Sequence, residues 1–319
     1  MIRVVRVFAI FLLLWPVSVW AQDEDDKGFL TRTIENALSG AGREVRIDGF
    51  RGALSSEASF DRMVIEDAQG IWLTLENVEL VWSRLALLRG RLEVDRLSAE
   101  LLKVERLPES EEVEELPSAE AGGFSFELPD LPVSVNIQVF EVTEIDLGAP
   151  ILGAPARVSL SASAVLDDAG LDVDMTADRI DDVSGTFLID ANVARSGSEI
   201  TLNIALEEDP GGITAKLLNL PGEPSVELKV EGQGPLDDFA TQIDLSTDGM
   251  QRLAGEVTLT AEADVPEGQS PDRRILADLG GDITALIAPE YHDFFGPEVK
   301  LSVDTVLQGD GSIDVNAFE

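Results

Sequence analysis

The residue types that perform most enzyme chemistry are scarce in this chain. It has no cysteine and one histidine, His292, which stands beside Asp293 in an aromatic-rich segment. Adjacent strand residues face opposite ways and no Gly-x-Ser-x-Gly motif is present, so a hydrolase pair is not supported. A lone histidine without cysteine would also need carboxylates to supply most of a zinc site. We therefore predict a protein that is not an enzyme and uses no cofactor or metal.

Two other motifs offer ligand chemistry, and each lacks part of what its ligand requires. Gly232-Gln233-Gly234 has neither the third glycine nor the following helix of a dinucleotide site. The acidic doublets offer carboxylates of the kind that calcium prefers, but without a loop ending in a bidentate glutamate. We interpret the doublets as turn residues. They are Asp167-Asp168, Asp181-Asp182 and Asp237-Asp238.

The elements that position the side chains are indicated by apolar and polar residues in alternation. Within the segment 224–232, for example, Val226, Leu228 and Val230 alternate with Glu227, Lys229 and Glu231. Side chains on a strand alternate between two faces, so such a segment has one apolar and one polar face. The pattern recurs over most of the chain after Gly123 and predicts an all-β fold with one long antiparallel or meandering sheet and short N-terminal helices. By alternation alone, the apolar face could form the core of an ordinary sandwich or barrel, or it could line an open groove. The residues expected to line the groove are Val226, Leu228, Val230, Ile200, Leu202, Ile204, Leu206, Val257 and Leu259.

Charge excludes one class of partner. The chain carries 61 acidic and 23 basic residues, a net charge of −38. A surface of this sign repels nucleic acid, so we predict no nucleic-acid partner. The acidic excess also discourages strands from pairing edge to edge between molecules.

The first 21 residues have the composition of an export signal. Arg3 and Arg6 precede the apolar stretch 7–14, and Val19-Trp20-Ala21 matches a cleavage pattern after Ala21. The apolar stretch is short for a membrane-spanning helix. Two interpretations stay open, a cleaved signal peptide at 1–21 and an uncleaved inner-membrane anchor formed by residues 4–21.

The remaining chain divides by composition into three parts. Residues 22–106 combine strands with two short helices, predicted at Gly28–Gly40 and Ser83–Arg89. Residues 107–123, rich in Glu, Pro and Ser, form an acidic linker. Residues 124–319 continue the strand pattern, with a helical turn predicted within Arg273–Gly281, and we expect that they end before the full set of repeats.

Several motifs together resemble the TamB family of AsmA-like envelope proteins of Gram-negative bacteria. The resemblance covers about residues 1–265 and departs from the family in length and in the absence of its C-terminal domain. The segments that carry it are Leu38–Arg43, Ile47–Ser56, Ile71–Leu75, Leu85–Arg91, Gly232–Phe239 and Leu253–Val257.

This resemblance implies a non-enzymatic periplasmic protein whose elongated, curved sheet forms a groove, held at the inner membrane if its N-terminus is uncleaved. The groove would carry phospholipid acyl chains between the inner and outer membranes, and a TamA-like outer-membrane barrel protein would be its partner in outer-membrane protein assembly. Two alternatives stay open. One is a chaperone-like scaffold for the strands of outer-membrane barrels, and the other is a closed-core surface protein of the adhesin type.

Overall fold

The computed structural model describes residues 31–32, 35, 39, 43–52, 55–108, 133–261, 271–292, 294–296, 298–308 and 312–318. These residues form one curved, open sheet of fifteen strands, so the all-β prediction is confirmed. The strands are β1 (Glu44–Asp48), β2 (Glu57–Asp67), β3 (Gly70–Trp82), β4 (Arg91–Val104), β5 (Ser134–Leu147), β6 (Ala156–Leu166), β7 (Gly170–Arg179), β8 (Gly185–Ala194), β9 (Ile200–Glu208), β10 (Val226–Gly234), β11 (Asp238–Thr247), β12 (Met250–Ala261), β13 (Arg273–Gly281), β14 (Val299–Leu307) and β15 (Ile313–Phe318).

The strands follow one another across the sheet in chain order. Each pairs with the next in antiparallel fashion, except β4 and β5, which are parallel. The sheet does not close, because β1 and β15 lie at its two edges. At about 4.8 Å between neighbouring strands, fifteen strands extend over roughly 70 Å.

The parallel pair differs from the antiparallel arrangement that the alternation suggests. A parallel neighbour requires the chain to return to the starting end of the sheet before the next strand begins. The connection from Val104 to Ser134 makes this return and contains the predicted acidic linker, most of which lies outside the described residues. β4 and β5 pair along their length, so the sheet runs without a break from residues before the linker into residues after it.

The apolar residues stay on one face even where strand register shifts. In each of β2 to β5, two successive apolar residues on the same face are three positions apart along the strand, where strict alternation would place them two positions apart. The extra residue acts as a bulge, which bends the strand without exchanging its faces. In β3 this residue is Asn77, with a φ of 51°. These residues form two rows of cross-strand partners, Phe60–Val78–Ala99–Val142 and Met63–Leu75–Leu102–Ile145.

Short helices lie between some of the strands, at the two ends of the sheet. Three of them, α2, α3 and η1, follow β5, β9 and β13, which run in the same direction, so all three lie at one end, here called the α3 end. Helix α1 follows β3 at the opposite end, the α1 end. The helices are α1 (Arg84–Leu87), α2 (Ala149–Leu152) and α3 (Ile213–Leu217), with the 3-10 helices η1 (Ile283–Leu286) and η2 (Pro289–Tyr291).

The β1 edge of the sheet is capped by side chains that precede it. The Val45 amide donates to Ser39 Oγ at 2.9 Å, and the Ile47 amide donates to Glu35 Oε1 at 2.7 Å. These bonds occupy donors that an edge strand otherwise offers to another chain. Val45 and Ile47 are also buried, with 3% and 7% of their surface exposed.

Of the helices predicted from sequence, one is present and one is a strand. The helix expected at Ser83–Arg89 is present as α1, but the helical turn expected within Arg273–Gly281 is wrong, because this segment is β13 and pairs with β12 and β14. Its alternating Ile275, Ala277 and Leu279 fit a strand with one apolar face. The predicted leader at 1–21 and most of the helix at Gly28–Gly40 lie outside the described residues. Within the described part of the chain, no helix has the length and apolar character needed to cross a bilayer.

Candidate functional site

The strand register places apolar side chains opposite one another from strand to strand. Ile204 of β9 lies between Ile189 of β8 and Val230 of β10, and Val230 in turn faces Ile243 of β11. Directly opposed side chains lie on the same face of a sheet and pack together. Following this level across the sheet gives a row that crosses thirteen strands, which we call the apolar row. It consists of Ala58, Leu80, Leu97, Phe140, Ala162, Met175, Ile189, Ile204, Val230, Ile243, Gly255, Leu279 and Leu301.

All nine residues expected to line a groove lie on the face that carries the apolar row, here called the apolar face. In β9 and β10, Leu206 lies opposite Leu228. In β12, Val257 and Leu259 lie opposite Thr241 and Phe239 of β11. The residues that complete the set are Ile200, Leu202, Ile204, Val226 and Val230.

The nine residues differ in how far other parts of the chain cover them. Val226 and Ile200, near strand ends, are buried, with 2% and 7% of their surface exposed. The other seven are half-buried. Each strand of the described region contacts chiefly its two neighbours in the sheet, and no second layer of strands packs on the apolar face there. The face is therefore largely uncovered along the middle of the strands, and it is covered near Ile200 at the α1 end and near Val226 at the α3 end.

Helix α3 provides the cover at the α3 end. Its Ala215 has no exposed surface and packs with Leu220 and Val226, and η1 adds Leu286 to the same cluster. Leu206 of β9 and Leu245 of β11, both on the apolar face, lie against this group. The apolar face thus has a wall along one end of its strands.

A buried set of charges fixes α3 on the sheet. The carboxylate of Glu208 accepts hydrogen bonds from the amides of Ile213 at 2.9 Å and Thr214 at 2.7 Å, where α3 begins. Arg179 lies 3.8 Å from the same carboxylate and makes two bonds to Asp181, of 3.0 and 2.8 Å. Arg179 and Glu208 side chains are only 6% and 4% exposed, so each charge needs the other groups as partners.

The 3-10 helix η1 is held in a similar way. Asp282 accepts a bond from the Thr284 amide at 3.1 Å, and Arg252 lies 3.8 Å from its carboxylate. The hydroxyl and the amide of Thr284 hold the pKa of Asp282 below its usual value, and Arg252 lowers it further. Arg252 also donates to Thr247 at 2.8 Å.

The similar arrangements around α3 and η1 reflect an internal repeat. The sequence Gly-x-Ile-Thr-Ala occurs at 211–215 and again seventy residues later at 281–285, where it begins α3 and η1. Gly185 in β8 and Gly255 in β12 stand at the same separation. Each copy therefore spans four strands and ends in a helix that covers the α3 end. Two five-residue segments that share four residues at this offset are visible in the sequence, and this signal would have revealed the repeat.

The opposite face of the sheet is polar and rich in carboxylates. Asp174 of β7 lies directly opposite Asp190 of β8, and Glu256 of β12 opposite Asp278 of β13. In the described residues, no group of three or more possible metal-ligating side chains comes together. Asp167 accepts bonds from the amides of Ala169 and Gly170, as the turn interpretation predicts.

The sole histidine lies away from the apolar row. His292 follows η2, is exposed, and has its ring nitrogen Nε2 within 3.2 Å of the Ile287 carbonyl oxygen. Its sequence neighbour Asp293 lies outside the described residues. Phe294 and Phe295 pack edge to face, with ring centres 4.8 Å apart.

Comparisons with family models, with curated proteins and with solved structures give no match.

Proposed function

We propose that this protein binds acyl chains on its apolar face and supports the passage of phospholipid between the inner and outer membranes, without catalysis. The observation that carries the proposal is the apolar row, which crosses thirteen strands with no second layer of strands over it in the described region. The resemblance to the TamB family supports the same proposal and adds a periplasmic location. It also suggests a TamA-like barrel partner in outer-membrane assembly.

The side-chain chemistry of the face suits an acyl chain. The row is mainly aliphatic and offers no charged group, so a fatty chain meets dispersion contacts and no fixed hydrogen-bonding site. Each methylene removed from water contributes about 0.8 kcal/mol. Similar contacts recur at every strand, about 4.8 Å apart, so a bound acyl chain can move from strand to strand and find equivalent contacts at each position.

Charge substitution on the two faces tests the proposal. Leu202→Asp places an unpartnered carboxylate on the apolar face, and we expect about tenfold less phospholipid to copurify with the protein, measured by mass spectrometry of extracted lipid. Thr201→Asp is the matched control, because Thr201 is adjacent but lies on the polar face opposite Asn192 and Gln233. Folding of both variants is checked by circular dichroism. Equal lipid in Leu202→Asp and the unchanged protein would contradict the proposal.

The second candidate is a scaffold for strands of outer-membrane barrels, and the exposed apolar side chains of β15 favour it. Ile313 and Val315 of β15 are 51% and 65% exposed, whereas the β1 edge is capped by Ser39 and Glu35. An extended segment with alternating apolar residues can add to an exposed sheet edge through main-chain hydrogen bonds. Crosslinks from Val315 to barrel proteins, with no lipid on Leu202, would favour this candidate over lipid passage.

A further inference from the structure

One surface at the α1 end has a composition unlike that of the rest of the molecule. The segment 83–92 contains three arginines and no acidic residue, in a chain with 61 acidic and 23 basic residues. Its arginines are Arg84, Arg89 and Arg91, and all three are exposed. With Leu85 and Leu88 they form what we call the basic patch.

The two leucines of the basic patch are among the most exposed large apolar side chains in the described residues. Leu85 is 70% exposed and Leu88 is 84% exposed, while Ala86 between them is 3% exposed and α1 packs against β4. The helix is therefore anchored through Ala86, and its leucines extend away from the sheet. Residues three apart lie on the same side of a helical turn, so both leucines project together.

This combination matches the chemistry of an anionic bilayer surface. Apolar side chains enter the boundary between headgroups and acyl chains, and arginines beside them contact the phosphates. Near such a surface each arginine raises the partition coefficient by about fivefold. Glu93, the first acidic residue after the patch, is bonded to Arg91 at 3.0 Å and opposes that attraction only in part.

The strongly negative charge elsewhere does not prevent this contact if the sheet meets the surface end-on. Strand β4 has 14 residues, which at about 3.3 Å each is roughly 45 Å. At physiological salt, charges more than about 8 Å from the headgroups are largely screened. Acidic residues at the α3 end therefore contribute little to the repulsion. At the α1 end, the doublets Asp167-Asp168 and Asp237-Asp238 lie two and seven strands from β4, roughly 10 and 34 Å away. Glu57 of β2, the strand beside β3, lies closer to the basic patch and opposes the attraction.

We propose that the basic patch docks the α1 end of the sheet on the surface of an anionic phospholipid bilayer. The inference does not depend on lipid binding by the apolar face, because it uses other residues and the outer surface of a helix.

Single labels test the docking, because the chain has no cysteine of its own. A full-length Leu88→Cys variant carrying an environment-sensitive nitrobenzoxadiazole dye is mixed with phosphatidylcholine vesicles containing about one-third phosphatidylglycerol. We expect a blue shift of the emission and quenching by brominated lipid. Leu218→Cys is the matched control, since Leu218 is 61% exposed but follows α3 at the other end. A leader that holds the chain on vesicles would not place residue 88 in the bilayer, so the dye reports the patch itself.

The arginines are tested by replacing all three with glutamine in the Leu88→Cys background. We expect the vesicle concentration for half-maximal blue shift to rise more than tenfold, given about fivefold for each arginine. Three results would overturn the proposal: no blue shift at residue 88, equal shifts at residues 88 and 218, or an equal shift on vesicles of phosphatidylcholine alone.

Discussion

At the scale of single residues, one glycine determines how part of the apolar face is filled. A Cβ on Gly232 would lie 2.5 Å from Cζ of Phe239 and 2.9 Å from Oγ1 of Thr241. The Phe239 ring therefore lies over the glycine and covers backbone that has no side chain of its own. The sequence shows Gly232 only as part of a Gly-x-Gly motif, and its packing role depends on β10 and β11 being neighbours.

Replacing this glycine should destabilise the sheet locally. Gly232→Val forces the Phe239 ring away, and we expect a loss of about 2 kcal/mol in the free energy of unfolding, measured in urea. Gly296→Val is the control, because a Cβ at Gly296 meets nothing within 4 Å. An unchanged unfolding midpoint in Gly232→Val would show that the ring does not occupy this position.

The buried charges around Arg179 make stability depend on pH. Burial raises the pKa of Asp181, but hydrogen bonds from Arg179 and from the Arg157 and Val183 amides outweigh it and hold the pKa below its usual value. Because the folded pKa is the lower one, the carboxylate stabilises the fold above the unfolded pKa of about 3.9. That contribution is lost as pH falls through the folded pKa.

We expect Asp181→Asn to lose about 3 kcal/mol near neutral pH, since it leaves Arg179 buried with one distant carboxylate. Urea unfolding at a series of pH values measures this, and the difference from the unchanged protein should shrink in acid. Asp174→Asn, which removes a carboxylate facing Asp190, should not lose stability. A deficit in Asp181→Asn that stays constant down to acid pH would contradict the assignment.

At the scale of elements, alternation predicts most strands after the linker but not how they connect. Strand β10, Val226–Gly234, lies within two residues of the segment 224–232 expected from sequence, because alternation marks a strand with one apolar and one polar face. The sequence pattern does not predict helix α3, because the helix is short and is stabilised by contacts with residues outside it, Glu208 and Val226. The parallel pairing of β4 and β5 depends on the path of a long connection, which periodicity does not encode.

Helix α3 offers a test of the wall at its end of the apolar face. Ala215 has no exposed surface, so Ala215→Glu must bury a carboxylate or lift the helix, and we expect about 3 kcal/mol lower stability. Hydrogen exchange should rise at the amides of Ile213 and Thr214, which Glu208 now holds. Leu217→Glu is the control on the same helix, since Leu217 is 57% exposed. Equal exchange in the two variants would show that α3 is not fixed through Ala215.

At the scale of the whole molecule, the fold is one curved sheet whose two faces have opposite character. The apolar row continues through β4 and β5 despite the change to parallel pairing, because Leu97 and Phe140 stay in register. Sequence predicts which residues share this face, as the alternation in β9 and β10 illustrates. It does not show that the middle of the face lacks a second layer, since a closed sandwich has the same alternation. That distinction separates a binding surface from an ordinary core.

Lipid binding by the apolar face is tested by placing photo-crosslinking residues at Leu202 and Leu228 in living cells and identifying the adducts by mass spectrometry. Thr201 and Lys229 serve as controls, because each is adjacent to a test residue and lies on the polar face. We expect phospholipid adducts at Leu202 and Leu228 and none at the controls. Crosslinks only within the chain at both test positions would show that the apolar face is a closed core, and would contradict lipid binding there.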